Sequence, residues 1–192
     1  MNISAVVLAG GKSTRMNGNN KANLIYKDKK FIEIIISALE NTINNVYVSV
    51  DNKERYNDVE YNFIEDIFYE IGPLGGLYSS LQYVDSEFIL VFPCDMPLIN
   101  KDIIKYLLRN IKEDDKCLIL KSSEGKMYPL CGIYSKKSLP IIKDMIEKKD
   151  YKLCNLVNNL NGRVISINDT NINEDVLMNV NNPNEYKKLI SN

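Results

Sequence analysis

Ile3-Ser4-Ala5-Val6-Val7-Leu8-Ala9-Gly10-Gly11-Lys12-Ser13-Thr14-Arg15-Met16 is the stretch on which the reading of this chain turns. A short apolar run delivers two adjacent glycines and then a cluster of hydroxyl and cationic side chains. Lys21 follows within a segment poor in hydrophobic residues. Glycines beyond a strand remove the Cβ atoms that would hold a ligand off the backbone, and their access to positive φ lets successive N–H groups converge on one anion. Lys12, Arg15 and Lys21 add charge, Ser13 and Thr14 add donors, and an arginine can grip phosphate through two parallel hydrogen bonds. The stretch predicts a strand feeding a polyphosphate-binding loop, of a composition suited to a triphosphate.

Two other glycine loops would imply different chemistry, and neither fits. A Walker A loop ending at Gly11-Lys12-Ser13 requires glycine at position 6, where the chain has Val6. The dinucleotide fingerprint requires three glycines in G-x-G-x-x-G spacing, and the next glycine after Gly11 is Gly18. A Gly-Gly hairpin turn would be followed by a second alternating strand, but cationic residues cluster there instead.

The 192 residues and 45% hydrophobic content suit one domain, 1–192, with a well-buried core. A formal net charge of -1 with both signs interspersed argues against a nucleic-acid-binding stripe, so any cationic site must be local. No apolar run is long enough to span a bilayer, and the first strand enters a glycine loop too soon for a signal peptide; a cytoplasmic location is expected. The four cysteines, Cys94, Cys117, Cys131 and Cys154, form no C-x-x-C pair and are expected to be reduced core residues. The chain contains no histidine. That removes the usual general base, the Ser-His-Asp triad and every His-ligated metal. Carboxylates, cations, backbone donors and a hard metal ion remain, and phosphoryl or nucleotidyl transfer is the chemistry that needs least beyond them.

Short apolar runs alternate with longer helical patterns, which predicts βαβ units around a mainly parallel sheet, a three-layer α/β fold of Rossmann-like type. Helices are expected over 31–42, 74–84, 101–111, 136–147, 151–160 and 183–190. Strands are expected over 3–8, 46–50, 61–65, 88–92, 117–120, 128–134 and 164–167. Pro140 inside the fourth helix implies a misplaced boundary or a kink.

In open α/β sheets ligands bind beyond the carboxyl ends of the strands. Asp95, in Phe92-Pro93-Cys94-Asp95-Met96-Pro97, follows the most continuously apolar strand. Asp66 precedes Gly72-Pro73-Leu74-Gly75-Gly76-Leu77, a second glycine-rich turn into a helix. A carboxylate at such a strand end suits Mg²⁺, which takes oxygen donors and one or two carboxylates together with substrate phosphates. Each aspartate could equally cap the turn or helix that follows. Asn182 before Pro183, with Glu185 three residues on, has the form of an N-cap with proline at N1 and a capping-box glutamate. Asn179 and Asn181 alternate on the segment leading into that cap, so both can face one side and complete a metal or phosphate site.

With these residues in view, the chain resembles the molybdenum cofactor guanylyltransferase family, within the glycosyltransferase-A-like nucleotidyltransferases. The resemblance spans nearly the full length. It rests on Leu8-Ala9-Gly10-Gly11 through Arg15-Met16 and Lys21-Ala22, on the Gly72-Pro73-Leu74 turn, on Pro93-Cys94-Asp95-Met96-Pro97 and on Asn179-Val180-Asn181. It implies that GTP and Mg²⁺ bind along the carboxyl edge of the sheet and that the terminal phosphate of molybdopterin, or of molybdenum-molybdopterin, attacks the α-phosphorus with release of pyrophosphate. It further implies that Leu8, Ala9, Gly10 and Gly11 lie under the nucleotide, that Arg15 and Lys21 neutralise phosphates, that Asp66 contacts the nucleotide, and that Asp95 holds the metal with Asn181 as a second ligand. Proteins that handle the cofactor are implied as partners; nucleic acid and membrane are not.

The chain departs from the family pattern in places. Asn20 stands where an aspartate is usual before the loop lysine, Asn17 and Asp28 replace glycines, and Tyr151-Lys152 replaces an often arginine-rich pair. The second substrate is therefore less determined than the nucleotide. A CTP:molybdopterin cytidylyltransferase, a sugar-phosphate nucleotidyltransferase and a non-catalytic nucleotide-binding regulator are the competing readings.

Overall fold

The apolar run at the amino terminus forms the strand β1 (Ile3–Leu8), and its side chains alternate between two separate cores. Ala5 and Val7 face one layer of helices, Val6 and Leu8 the other, because successive Cβ atoms of a strand point to opposite faces. The structure, a computed structural model, describes residues 1–10, 21–56 and 60–191. In chain order the remaining elements are β2 (Ile25–Tyr26), β3 (Lys29–Lys30), α1 (Phe31–Glu40), β4 (Val46–Val50), β5 (Phe63–Glu65), α2 (Pro73–Tyr83), β6 (Phe88–Pro93) and α3 (Lys101–Asn110). There follow β7 (Cys117–Lys121), β8 (Met127–Ser135), α4 (Leu139–Glu147), α5 (Leu153–Asn159), β9 (Arg163–Ser166) and α6 (Pro183–Ile190).

Among the described residues the main sheet has the order β5-β4-β1-β6-β8-β7-β9. Every pairing is parallel except those of β8, which runs antiparallel to both β6 and β7. From β1 the chain moves outward through β4 to β5 and then returns to β6 on the other side of β1. The strand order thus reverses between β1 and β6, and a crevice at such a switch point is where an open sheet binds ligands. All six residues of β6 are buried, in keeping with its unbroken apolar sequence. The α1 and α3 side chains Ile32, Ile35, Leu39, Ile103 and Leu107 pack on one face. Leu74 and Leu77 of α2, Ile142 of α4 and Leu156 of α5 pack on the other, completing three layers.

Most expected elements form within two residues of their expected ends. The 136–147 segment does not run as one helix: a 3-10 turn spans Lys136–Ser138 and α4 begins at Leu139, so Pro140 falls in the first turn, where its missing N–H costs nothing. The periodicity was a boundary too early rather than a kink. The β2-β3 hairpin escaped the sequence reading because two-residue strands carry no periodicity. Its turn residues Lys27 and Asp28 have φ of 49° and 64°, the left-handed pair that a tight hairpin requires. Cys94, Cys117 and Cys131 are buried thiols as expected, but Cys154 is exposed, because it lies on the outward face of the short α5. No helix among the described residues is long and apolar enough to cross a membrane.

A third, smaller core joins the carboxyl terminus to the segment after the loop. Phe31, Val180 and Leu189 are buried together, Phe31 meets Tyr186 edge-on at 6.1 Å, and the Tyr186 hydroxyl donates to the Ile25 carbonyl at 2.7 Å. Asn182 caps α6, its Oδ1 accepting from the N–H groups of Asn184 and Glu185, each at 3.0 Å. Glu185 reaches one residue further back than a capping box would, to the Asn181 N–H at 2.5 Å. Asn182→Ala should cost about 1 kcal/mol of stability, the usual loss for an N-cap, in urea unfolding followed by circular dichroism.

Candidate active site

At the switch point the ends of β1 and β6 are stitched together: the Cys94 N–H donates to the Leu8 carbonyl at 3.0 Å. Asp95 is the next residue, placed over the seam. Lys21, in a 3-10 turn at Lys21–Asn23, sends its ammonium into the same place, 3.0 Å from Asp95 Oδ2 and 2.6 Å from Asn181 Oδ1. The Asn179 amide donates to Asp95 Oδ1 at 3.5 Å. The segment between the asparagines is fixed by the Val180 N–H, which donates to the Asp95 carbonyl at 2.9 Å, and by complete burial of the Val180 side chain. Burying Val180 turns its two neighbours the opposite way, so the alternation in Asn179-Val180-Asn181 delivers the Asn179 amide to Asp95 and the Asn181 amide to the Lys21 ammonium.

Of the two uses open to Asp95 in the sequence, ligand or cap, the structure shows a carboxylate engaged by a lysine and an amide. The following helix, α3, is capped by Asn100, whose Oδ1 accepts from Asp102 and Ile103. Asp66 is likewise no cap: α2 starts at Gly72, with φ of 72°, and Pro73. Asp66 lies one residue past β5, where its Oδ1 accepts from the Ser49 hydroxyl at 2.8 Å.

The glycines near Asp66 act by close approach rather than as anion donors. A Cβ at Gly76 would lie 2.7 Å from Ser49 Oγ and 3.4 Å from Asp66 Oδ1, and one at Gly75 would lie 2.7 Å from the Phe68 carbonyl. Gly76 therefore lets α2 settle against the ends of β4 and β5, and Gly75 lets it close on the segment that joins β5 to α2. Gly10 is different: it is exposed at the mouth of the crevice, with the position of its absent Cβ 3.5 Å from Asp66 Oδ2. Leu8 and Ala9 are buried beneath it, with the Ala9 N–H donating to the Ser49 carbonyl at 2.8 Å and the Ala9 carbonyl accepting from the Tyr56 hydroxyl at 3.0 Å. Gly11 and Arg15 lie outside the described residues. Sequence reasoning missed Ser49 and Tyr56. The available signal for Ser49 was a polar residue interrupting Val46-Tyr47-Val48-Ser49-Val50 near a strand end.

Burial shapes the electrostatics of the site unevenly. The Asp66 carboxyl is pushed up from the ordinary 3.8 to about 6, chiefly by desolvation; the Ser49 hydrogen bond opposes the rise and the Asp51 charge adds to it. The Cys94 thiol beside Asp95 is pushed up to about 12, first by burial and then by the Asp95 charge. A thiol so far from ionising is no nucleophile, which leaves the cysteine of the Cys-Asp pair a packing residue.

The donor set around Asp95 fits a hard cation. Asp95 and Asn181 present oxygens to a common point already occupied by a positive group, the Lys21 ammonium. Asn179 Oδ1 beside them is buried with no hydrogen-bond partner among the described residues. One carboxylate with amide oxygens is a low-charge set, and among the described residues no group of three or more acids, cysteines or histidines gathers anywhere to hold a metal on its own. Such a site suits Mg²⁺, which keeps few protein ligands and completes its shell with water and substrate phosphates.

The chain is similar to known proteins in sequence and in fold. A family model described as a MobA-like NTP transferase domain matches residues 5–164. A Clostridium perfringens protein named probable molybdenum cofactor guanylyltransferase is 45% identical over 158 residues, covering 82% of this chain and 73% of its own. A Flavobacterium johnsoniae protein of the same name is 34% identical over 187 residues, covering 97% of this chain and 96% of its own. Among solved structures, the molybdopterin-guanine dinucleotide biosynthesis protein A of Archaeoglobus fulgidus superposes with a TM-score of 0.83 at 19% identity, covering 98% and 97% of the two chains, and so shares the fold.

The Asp66 shift makes stability depend on pH. Its folded pKa of about 6 lies above the unfolded value near 4, so the folded chain holds the extra proton between them and stability falls as pH rises through that window. The full cost, about 3 kcal/mol for two units, applies above pH 6 and is absent below pH 4. Asp66→Asn should abolish this component, so that the change in unfolding free energy from pH 4 to pH 7, read by urea unfolding, is more positive in the variant than in the parent by up to about 3 kcal/mol.

Proposed function

The chain belongs to the MobA-like NTP transferase family, and from that premise we propose that it transfers GMP from GTP to the terminal phosphate of molybdopterin or molybdenum-molybdopterin. The observation that carries the reading is the convergence of Lys21, Asp95 and Asn181 at the switch point between β1 and β6. The names and coverage of the relatives support guanylyl transfer within that frame.

In this reading the nucleotide lies along the carboxyl edge of β1, over Leu8, Ala9 and Gly10, and Gly11 is a further nucleotide-binding residue. Exposed Gly10 gives the nucleotide its close approach to the backbone. Lys21 and Arg15 neutralise the triphosphate, Asp66 meets the nucleotide on the β5 side, and Asp95 with Asn181 would hold Mg²⁺. The ion supplies charge neutralisation at the phosphates when bound. An oxygen of the pterin phosphate forms the new bond to the α-phosphorus, the α–β bridging bond breaks, and pyrophosphate departs with the electron pair. A phosphate nucleophile is already anionic at neutral pH, so no histidine base and no covalent enzyme intermediate is required. What the residues supply is position and electrostatic stabilisation. A step that draws on GTP fits the cytoplasmic location expected from the sequence, with cofactor-handling proteins delivering the pterin and receiving the product.

Pyrophosphate release assayed with GTP, CTP and ATP, each with and without molybdopterin, should show turnover only with GTP and the pterin together. Release with CTP alone among the nucleotides moves the assignment to cytidylyl transfer, and release with none makes the chain a nucleotide-binding regulator. Asp95→Ala should lower turnover by about a hundredfold or more at unchanged fold, and near-normal activity in that variant would refute the metal assignment.

A further inference from the structure

Asp66 is the one charged residue in the buried set of the described chain, 9% exposed, and no cation is paired with it among the described residues. A carboxylate in such surroundings is costly unless its lone pairs are met. Its Oδ1 is met by Ser49 Oγ at 2.8 Å. Its Oδ2 has no hydrogen bond among the described residues and lies 3.5 Å from where a Cβ on Gly10 would stand, beside the exposed glycine at the mouth of the crevice. Ser49 itself is 1% exposed, its carbonyl holds the Ala9 N–H under the loop, and any side chain at position 76 would collide with its hydroxyl. Ser49 thus has one hydroxyl partner, a fixed place, and no contact of its own with the crevice.

We propose that Ser49 is a positioning residue for nucleoside recognition: it holds Oδ1 of Asp66 from behind and so presents Oδ2 across Gly10 as a charged acceptor for N–H or O–H donors of the bound nucleoside. This deepens the guanylyl-transfer reading and rests on it. Among the described residues, the elements packed around Asp66 supply little else that could hold the charge. The β1 end offers Leu8, Ala9 and Gly10, and α2 offers Gly75, Gly76, Ser79 and Ser80, none of them charged. On the β4 side Asp51 opposes ionisation, and Lys53 faces the exposed Glu65 at 3.8 Å. Without the Ser49 hydroxyl, desolvation and Asp51 act unopposed and both favour the neutral acid, which has lost the charge that strengthens its hydrogen bonds.

The test compares the parent, Ser49→Ala, Ser49→Cys, and Ser49→Ala in an Asp66→Asn background, each verified as folded by thermal unfolding. Asp66 is titrated by carboxyl ¹³C NMR without nucleotide, and MgGTP binding is measured by calorimetry from pH 5.5 to 8.5. Ser49→Ala should raise the Asp66 midpoint by about one unit and weaken GTP binding about twofold at pH 7 and by nearly tenfold at pH 5.5, with recovery to the parent at pH 8.5. Ser49→Cys, a nearly isosteric weak donor, should fall between. In the Asp66→Asn background the serine substitution should leave the pH profile unchanged. An unmoved Asp66 midpoint in Ser49→Ala, or weaker binding with an unaltered pH profile, overturns the proposal. Failure of the parent to bind MgGTP at any pH overturns the guanylyl-transfer reading instead, and the two results are distinct because the NMR titration uses no nucleotide.

Discussion

The ammonium of Lys21 is the point on which the site depends, because it draws together three stretches that lie far apart in the chain. It reaches Asp95, 74 residues away, and Asn181, 160 residues away. Each partner is held independently of it. Asp95 sits at the end of a fully buried strand, and Asn181 is held through Val180 and the cap of α6. A cation held between partners fixed by burial and backbone bonds is placed by the fold rather than by its own flexible stem. That is the condition under which charge can stabilise a transition state without reorganisation.

The two acids of the crevice have opposite surroundings, and the difference assigns them opposite work. Asp95 is met by a lysine and one amide, with the Asn181 amide oxygen sharing the same ammonium, an arrangement that shares a positive charge and suits a metal bound together with phosphates. Asp66 is met by a single hydroxyl and a second acid nearby, and burial pushes its carboxyl upward. On the proposed reading, one pole would meet phosphate and cation, the other an uncharged or donor-bearing part of a ligand. A nucleoside triphosphate has that polarity along its length.

Much of the fold was legible because its parallel strands are buried on both faces and read as unbroken apolar runs, with β6 the clearest. Helix α6 was readable to both ends, since Asn182, Pro183 and Glu185 state the start of a helix in local chemistry. The errors have local causes. The sequence pattern over 136–147 could not separate a 3-10 turn from the first turn of α4, the β2-β3 hairpin was too short to carry a period, and Cys154 looked like its buried counterparts because residue type alone does not report which face of a short helix is outward. In the site, Lys21, Asp95 and Asn181 could be named as polar residues at strand ends and glycine loops. Ser49 could not, because a lone serine in an apolar strand gains its meaning only from what α2 and β5 bring opposite it.

By itself the sequence determined the alternation of elements and the exclusion of histidine chemistry, since both follow from residue type and spacing along the chain. Which carboxylate meets a cation and which is left in a nearly dry pocket was decided only by the tertiary structure. Burial and pairing depend on neighbours brought from other parts of the chain, and those neighbours fix the electrostatic surroundings of each acid.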